Sequence, residues 1–344
     1  MRPEAQAALS ESAERVEART RAYWPDISKA TGLPAEGVRF RPLHVNANVR
    51  DRRCVLEARL DDKRRFVLRA DYEERRRVPL MKQLQRHRIA AEALRESSKA
   101  HVPQVLWEAS DTPCALLEFV PGETAVQELQ FADLGAVQRD LVWERIGAAI
   151  GALHAVSRTR EKRFWPKPFL QQVSEQAEAV RRDAGNYPHP QRFLGLCALL
   201  HRFGKRARGL PYLGALEHGD MHLCNILIAE EKVSFIDFSN FKNDHPQRDL
   251  ANLWVTAVVN EEQGLRQGTG YGMIAPSEMR AFEAGYGEAL IEDPIFRFFH
   301  AYRLFRVWGT IARMEKARGP RVKKKRAALV AVLDSLQDAE RTLE

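Results

Sequence analysis

The stretch Glu217-His218-Gly219-Asp220-Met221-His222-Leu223-Cys224-Asn225-Ile226-Leu227-Ile228, followed by Val233-Ser234-Phe235-Ile236-Asp237-Phe238, decides the reading of this chain. Two short apolar runs, 225–228 and 233–236, flank the polar turn Ala229-Glu230-Glu231-Lys232. Such a pattern reads as a β-hairpin. Asp220 and Asn225 then precede the first strand and Asp237 closes the second, so two acids and an amide gather at the mouth of one hairpin. Magnesium takes a few carboxylate or carbonyl oxygens and completes its shell with phosphates and water. Asn225 and Asp237 suit that ion, Asp220 is left to act as a base, and the set is an arrangement for phosphoryl transfer.

The spacing His218-x-Asp220-x-x-x-x-Asn225, then Ile236-Asp237-Phe238, resembles the catalytic and metal-binding loops of the aminoglycoside phosphotransferase and choline kinase family, a small-molecule branch of the protein-kinase-like fold. The run Pro246-Gln247-Arg248-Asp249-Leu250-Ala251 is similar to the one that follows the second acid in that family. The resemblance implies an α+β, bilobal, protein-kinase-like fold. Residues 1–120 would form a nucleotide-binding N-lobe with a small antiparallel β-sheet and a leading helix. Residues 121–344 would form a mainly helical C-lobe with the catalytic loop and the acceptor site. It also implies Asp220 as the catalytic residue, Asn225 and Asp237 as Mg2+ ligands, and His218 and Asp249 as structural support of the site.

The rest of the first lobe follows from its patterning. Helix formers without Gly or Pro run from Glu4 to Tyr23, and Pro25 ends them. Val38–Leu43, Cys54–Leu60 and Arg65–Arg69 read as three successive strands, with a turn at Asp61-Asp62. In the related fold the first turn is Gly-rich and covers the nucleotide phosphates. Here Val45-Asn46-Ala47-Asn48-Val49-Arg50-Asp51 contains no glycine. The third strand corresponds to the family's strand carrying a phosphate-gripping cation, usually lysine. Arg69 stands there, and arginine still clamps phosphate oxygens bidentately.

A helix is expected over 79–97, with Leu80, Leu84, Ile89, Ala93 and Leu94 as its apolar stripe. By the resemblance, Glu92 of this helix is the candidate carboxylate that orients Arg69, with Glu73, Glu74 and Glu96 as alternatives. Strands at Val102–Trp107 and Cys114–Val120 follow, and Leu117-Glu118-Phe119-Val120-Pro121-Gly122 resembles the family's inter-lobe hinge. Backbone groups of Glu118 and Val120 are the expected adenine contacts.

Beyond the hinge, the small-residue segment Leu141–Ser157 reads as a buried helix, and His154 within it as a core or capping histidine. Phe164–Pro211 holds aromatic and proline-rich connections around two helical stretches, a region that helps to shape the acceptor pocket in the related fold. Asp249–Val259 and three C-terminal segments, 282–290, 296–314 and 322–343, read as helices. The glycine cluster Gly264–Gly272 has no preceding strand and no Gly-Lys-Ser/Thr ending, and reads as a connection rather than a phosphate loop.

Composition narrows the classes. Four scattered cysteines, Cys54, Cys114, Cys197 and Cys224, form no CxxC pair, so neither a zinc site nor a disulfide framework is expected. No apolar run is long enough for a membrane span. The acidic residues near the N-terminus do not form a signal peptide, and a soluble, cytoplasmic protein is expected. The net charge of +8 is uneven. Between Phe241 and His300 nine acids face five bases, a balance that suits a cationic acceptor; from Ala301 to Arg326 ten bases face Glu315 alone. The basic 316–326 segment is a candidate contact for an anionic surface. Without interleaved aromatics, nucleic acid is not an expected partner.

The function expected is therefore Mg2+-dependent transfer of the γ-phosphate of ATP, with GTP as an alternative donor, to a hydroxyl of a small molecule. Amino alcohols, sugars and aminoglycoside-like compounds are the acceptor classes. Two other readings stand beside it. One is a non-catalytic nucleotide- or partner-binding protein on a kinase-like scaffold. The other is a protein kinase, against which the short distance between Asp237 and Pro246 argues, since it leaves no room for an activation loop.

Overall fold

The computed structural model describes residues 12–48, 52–72, 77–110, 113–183, 187–230, 232–239, 243–259, 269–313 and 319–342. The chain divides into two compact units. The first contains Met1–Arg95, His101–Pro121 and Phe235–Phe241; the second contains Glu96–Ala100, Gly122–Ser234 and Lys242–Glu344.

The first unit opens with α1 (Ala13–Arg21), whose N-cap Ser12 accepts the Arg15 N–H, and α2 (Trp24–Thr31), which Gly32 ends in the left-handed conformation at φ 72°. Then come β1 (Val38–Asn46), β2 (Arg53–Leu60), β3 (Arg65–Asp71), α3 (Arg77–Ala93), β4 (Ala100–His101), β5 (Val105–Glu108) and β6 (Cys114–Glu118). Five of the strands form an antiparallel sheet in the order β1-β2-β3-β6-β5. Pro103 has no N–H to give a ladder, and β5 starts only after it, later than the expected Val102.

Alternation along the strands sorts the side chains onto two faces. Leu56, Ala58, Leu68, Ala70, Cys114 and Leu116 lie on one face and pack with Val16, Trp24 and Ile27 of α1 and α2. Ala115 and Leu117 lie on the other, where they meet Leu80 and Leu84 of α3. Arg53, Arg69 and Asp71 have this second parity, and the β2–β3 register sets Arg53 opposite Asp71 and Val55 opposite Arg69. The polar residues of the unit are thereby delivered to the α3 face. The Glu73 and Glu74 alternatives and Val49–Asp51 of the first turn lie outside the described residues.

The second unit runs β7 (Glu123–Thr124), α4 (Ala125–Asp133), α5 (Arg139–Val156), β8 (Glu161–Arg163), α6 (Lys167–Arg182), α7 (Pro190–Ala207), β9 (Pro211–Leu213) and β10 (Ala215–Leu216). It continues with β11 (Ile226–Ile228), β12 (Val233–Phe235), β13 (Asn243–Asp244), α8 (Pro246–Val259), α9 (Pro276–Tyr286), α10 (Pro294–Arg313) and α11 (Pro320–Arg341). β11 and β12 are neighbours in a four-stranded sheet, with the turn closed by Ala229 N–H on the Lys232 carbonyl at 3.0 Å. The hairpin read from the sequence is present.

Small residues let α5 and α9 touch. A Cβ on Gly147 would strike the Phe282 carbonyl, and one on Gly285 would strike the Glu144 carbonyl. Beside this contact Trp143 stacks on Trp254 at 4.4 Å, with Phe282 edge-on to both. Of the glycine cluster, 264–268 lies outside the described residues. Tyr271–Met273 forms a 3-10 turn whose Gly272 lies against the His300 ring. Among the described residues no helix is long and apolar enough to cross a membrane.

Candidate active site

The expected site residues fall in both units, and each group has its own geometry. In the second unit, the residues from His218 to Asn225 form a loop held from several sides. Asp249, in the first turn of α8 and 1% exposed, accepts the backbone N–H of His218 at 2.6 Å and of Gly219 at 2.9 Å. Gly219 takes φ 84°, a conformation that costs glycine little. One turn further along α8, Asn252 donates its side-chain amide to the Met221 carbonyl at 2.9 Å. His218 Nδ1 lies 3.3 Å from the Asp220 N–H, and Asn225 Nδ2 donates to the Asp220 carbonyl at 3.0 Å. Asp249 also lies 3.5 Å from His154 Nε2, and His154 bonds the Tyr286 hydroxyl at 3.1 Å. His154 is thus a buried brace.

Among the described residues the Asp220 side chain pairs with His222, whose Nε2 lies 3.5 Å from Oδ2. Burial pushes the Asp220 carboxyl upward, but the bond and charge of His222, with smaller contributions from His218 and Arg303, outweigh it and hold the group below its usual range. Burial likewise opposes the His222 charge, yet Asp220 and the neighbouring Cys224 raise the imidazole to about 9. At neutral pH the pair is a carboxylate and an imidazolium. No role was expected for His222 from the sequence; its two-residue spacing from Asp220 was the available signal.

Beside this loop lies a cavity of about 310 Å3, lined among others by Gly219, Asp249, Asn252, Arg248, Arg303 and Arg306. Its walls include Phe169, Phe299 and Tyr302, and Glu217 closes part of it. Glu217 is 1% exposed, accepts the His245 N–H at 2.9 Å and lies 3.2 Å from Arg248. Burial pushes its carboxyl up to about 8 against the pull of Arg248. Neither Glu217 nor the arginines of α10 were singled out from the sequence, because nothing in their local pattern separates them from solvated charges.

In the first unit the structure brings Arg69 and Asp237 together. The Arg69 guanidinium donates to Asp237 Oδ1, to Asp71 Oδ1 at 3.4 Å and Oδ2 at 3.2 Å, and to Gln83 of α3 at 3.1 Å. Arg53 lies 3.1 Å from Asp71 and 3.6 Å from Asp237. Arg69 is 8% exposed; burial opposes its charge, but Asp237 and Asp71 outweigh that and hold its pKa above the usual value. Asp237 has φ 62°, which a non-glycine residue adopts only where its surroundings hold it. Next to it Phe238, 1% exposed, packs edge-on against His87 of α3 at 5.7 Å.

Glu92 does not join this cluster. Its exposed carboxylate pairs with Arg95, one turn along the same helix. The inward face of α3 is Leu80, Leu84, His87, Ala90 and Leu94, all buried, whereas Ile89 is 47% exposed. At about 100° per residue, Glu92 points about 120° away from Leu80, and Gln83 occupies the facing position. The buried carboxylate that pairs with Arg69 is Asp71, on the same strand.

Glu118 is half-committed already. Its N–H donates to the Gln104 carbonyl at 2.9 Å, and its carboxylate accepts the Gln104 N–H at 3.0 Å and lies 3.1 Å from His101. The His101 bond lowers its pKa, against the effect of burial. Val120, half-buried, follows β6.

Among the described residues no three His, Cys, Asp or Glu side chains form a metal cluster. The donor set nevertheless suits a hard cation. Asn225 is 7% exposed, its Nδ2 is engaged by the Asp220 carbonyl, and its Oδ1 accepts no hydrogen bond among the described residues. An amide oxygen such as that of Asn225 is a ligand of the magnesium type, and in the first unit so is the Asp237 carboxylate.

A five-stranded antiparallel sheet backed by one long helix, with a mostly helical remainder carrying a braced Asp-x-x-x-x-Asn loop, is the α+β kinase-like fold of small-molecule phosphotransferases. The model of the phosphotransferase enzyme family (APH) matches residues 55–282, and the chain belongs to that family. Solved structures agree in fold. A choline/ethanolamine kinase family protein from Mesorhizobium loti is 17% identical, with 94% of this chain and 95% of that one covered and a TM-score of 0.55. An amicoumacin kinase in complex with AMP-PNP, Ca2+ and Ami is 14% identical over 95% and 96% of the two chains, TM-score 0.55. A glucosamine kinase in complex with glucosamine, ADP and inorganic phosphate is 13% identical over 89% and 83%, TM-score 0.54. No curated protein matches the chain.

Proposed function

We propose that this phosphotransferase moves the γ-phosphate of ATP to a hydroxyl of a small molecule, with Mg2+ as the metal. The observation that carries the reading is the Asp220 carboxylate, kept ionised beside His222 in a loop that Asp249 and Asn252 clamp to α8. A group held in this way positions an acceptor hydroxyl and takes its proton as the new bond forms, in a reaction where placement and electrostatics supply most of the rate. Asn225 and Asp237 would hold the metal, which when bound neutralises phosphate charge. Arg69 would meet phosphate oxygens with the guanidinium that now serves Asp71, Gln83 and Asp237. Backbone groups near Glu118 and Val120 would meet the base of the nucleotide, ATP or GTP.

One observation favours the second reading, a nucleotide- or partner-binding protein without catalysis: four hydrogen bonds already engage Arg69. Acceptor-dependent ADP formation separates the two. Wild-type protein with Mg-ATP is assayed over amino alcohols, sugars, sugar acids and aminoglycosides, with Asp220→Asn as control. The transferase reading expects ADP release with at least one acceptor and a loss of about 10²- to 10⁴-fold in the variant. Release that is indifferent to Asp220→Asn would remove the residue from its role.

A further inference from the structure

We infer that the acceptor carries an anionic group, a carboxylate or a phosphate, which Arg303 and Arg306 of α10 bind in the cavity beside the catalytic loop. The inference rests on the phosphotransferase reading and names the substrate class of its acceptor site.

Arg303 and Arg306 are three residues apart on one helix and so share a face, and both line the cavity with Gly219 and Asp249. Neither forms an ion pair among the described residues. Arg306 reaches only the Gln172 amide oxygen, at 3.5 Å, an atom that also accepts the Tyr302 hydroxyl at 2.7 Å. Arg303 is half-buried, its Nε is enclosed and has no hydrogen-bond partner, and burial presses its pKa below the usual guanidinium value. An enclosed charged donor without a partner costs stability unless a ligand supplies one.

Of the acids nearby, Asp220 favours the Arg303 charge without outweighing its burial, and the other two add little. Both Asp249 oxygens accept loop N–H groups, and Glu217 has Arg248 beside it and a carboxyl shifted toward the neutral form. Asn252 adds the opposite kind of orphan, since its Oδ1 is buried without a donor. A ligand that accepts from Arg303 and donates a hydroxyl to Asn252 satisfies both atoms. Planar guanidinium pairs recognise carboxylate and phosphate by two parallel hydrogen bonds. At about 310 Å3 the cavity is at the lower end of small-molecule sites, sized for a compact metabolite.

The acidic balance of 241–300 had pointed instead to a cationic acceptor. In the structure four of those carboxylates serve the scaffold: Glu278 pairs with Arg139, Glu283 accepts the Leu290 N–H, Glu288 pairs with Arg158, and Asp293 accepts the Ile295 N–H.

The test is calorimetric titration of the full chain. Mg-ATP is titrated first, and failure of the wild type to bind it counts against the phosphotransferase reading itself. In the presence of Mg-ADP, D-glycerate and glycerol 3-phosphate are then compared with glycerol and choline, so that carboxylate, phosphate, neutral and cationic hydroxyl compounds are each represented. The inference expects one or both anions to bind at least about tenfold more tightly than glycerol and choline. It also expects Arg303→Gln and Arg306→Gln each to weaken that anion by about tenfold or more, the scale of one charge-assisted hydrogen bond. Equal or tighter binding of glycerol or choline, no binding of either anion, or an anion preference untouched by both variants overturns it, whatever the Mg-ATP result.

Discussion

The carboxylate of Asp249 accepts the backbone N–H of His218 at 2.6 Å, and this buried bond fastens the loop that carries Asp220 to the first turn of α8. The second oxygen takes the Gly219 N–H, so one side chain satisfies two consecutive donors just before Asp220. Asp249→Ala leaves both without a partner, at about 1–3 kcal/mol for each buried group. The expected result is a lower Tm by thermal denaturation and a kcat that falls more than KM rises, because the loop geometry serves the reacting group.

His222 predicts the alkaline limb of the pH profile. Its imidazole, raised to about 9, is protonated at neutral pH and loses its charge as pH rises through that value. A pH series of kcat/KM should therefore decline above about 9 in the wild type. In His222→Asn that limb should disappear, and the rate at neutral pH should already be reduced.

The cation cluster of the first unit separates two glutamate-free expectations. Arg69→Met removes the buried guanidinium from between Asp71, 2% exposed, and Asp237, and leaves Arg53 beside both. Breaking a buried pair costs about 3–5 kcal/mol, and chemical denaturation should show it. Glu92→Ala touches only an exposed pair on α3 and should stay within about 0.5 kcal/mol of wild type.

Acid sensitivity should come from buried neutral histidines. Burial lowers His300 to about 3 and His245 to about 4, both below the usual 6.5. Between those values and 6.5 the unfolded chain binds more protons, so stability falls as pH drops below about 6.5. Thermal denaturation at pH 7.5 and 5 should show the decrease, and His300→Gln should lessen it.

Gly285 predicts a packing limit. Its Cβ would meet the Glu144 carbonyl and the Ala148 N–H of α5, backbone atoms that have no rotamer to change. Gly285→Ala should destabilise by about 1–3 kcal/mol as the α5–α9 contact opens, read as a lower Tm.

The hairpin, the loop and the helix after it were legible because their signals are local: two apolar runs around a polar turn, and polar residues at fixed offsets. The place of Arg69 on β3 was legible from the strand pattern. Glu92 lies on the exposed side of α3, paired with Arg95. Leu80, Leu84 and Leu94 of the expected stripe are buried, but Ile89 is exposed on the far side, and the buried His87 that completes the true face looked polar. Asp71 and Gln83 become visible only once strand parity and that face are known together. Arg303 and Arg306 were hidden in a basic run, since a solvated charge and an enclosed one have the same letter.

Titration of the wild-type chain with ATP in the presence of Mg2+, followed by calorimetry, tests the central claim most directly. The account predicts saturable, magnesium-dependent binding at one site per chain, strongly weakened in Asp237→Ala. A wild-type protein that binds no nucleotide under those conditions would contradict it.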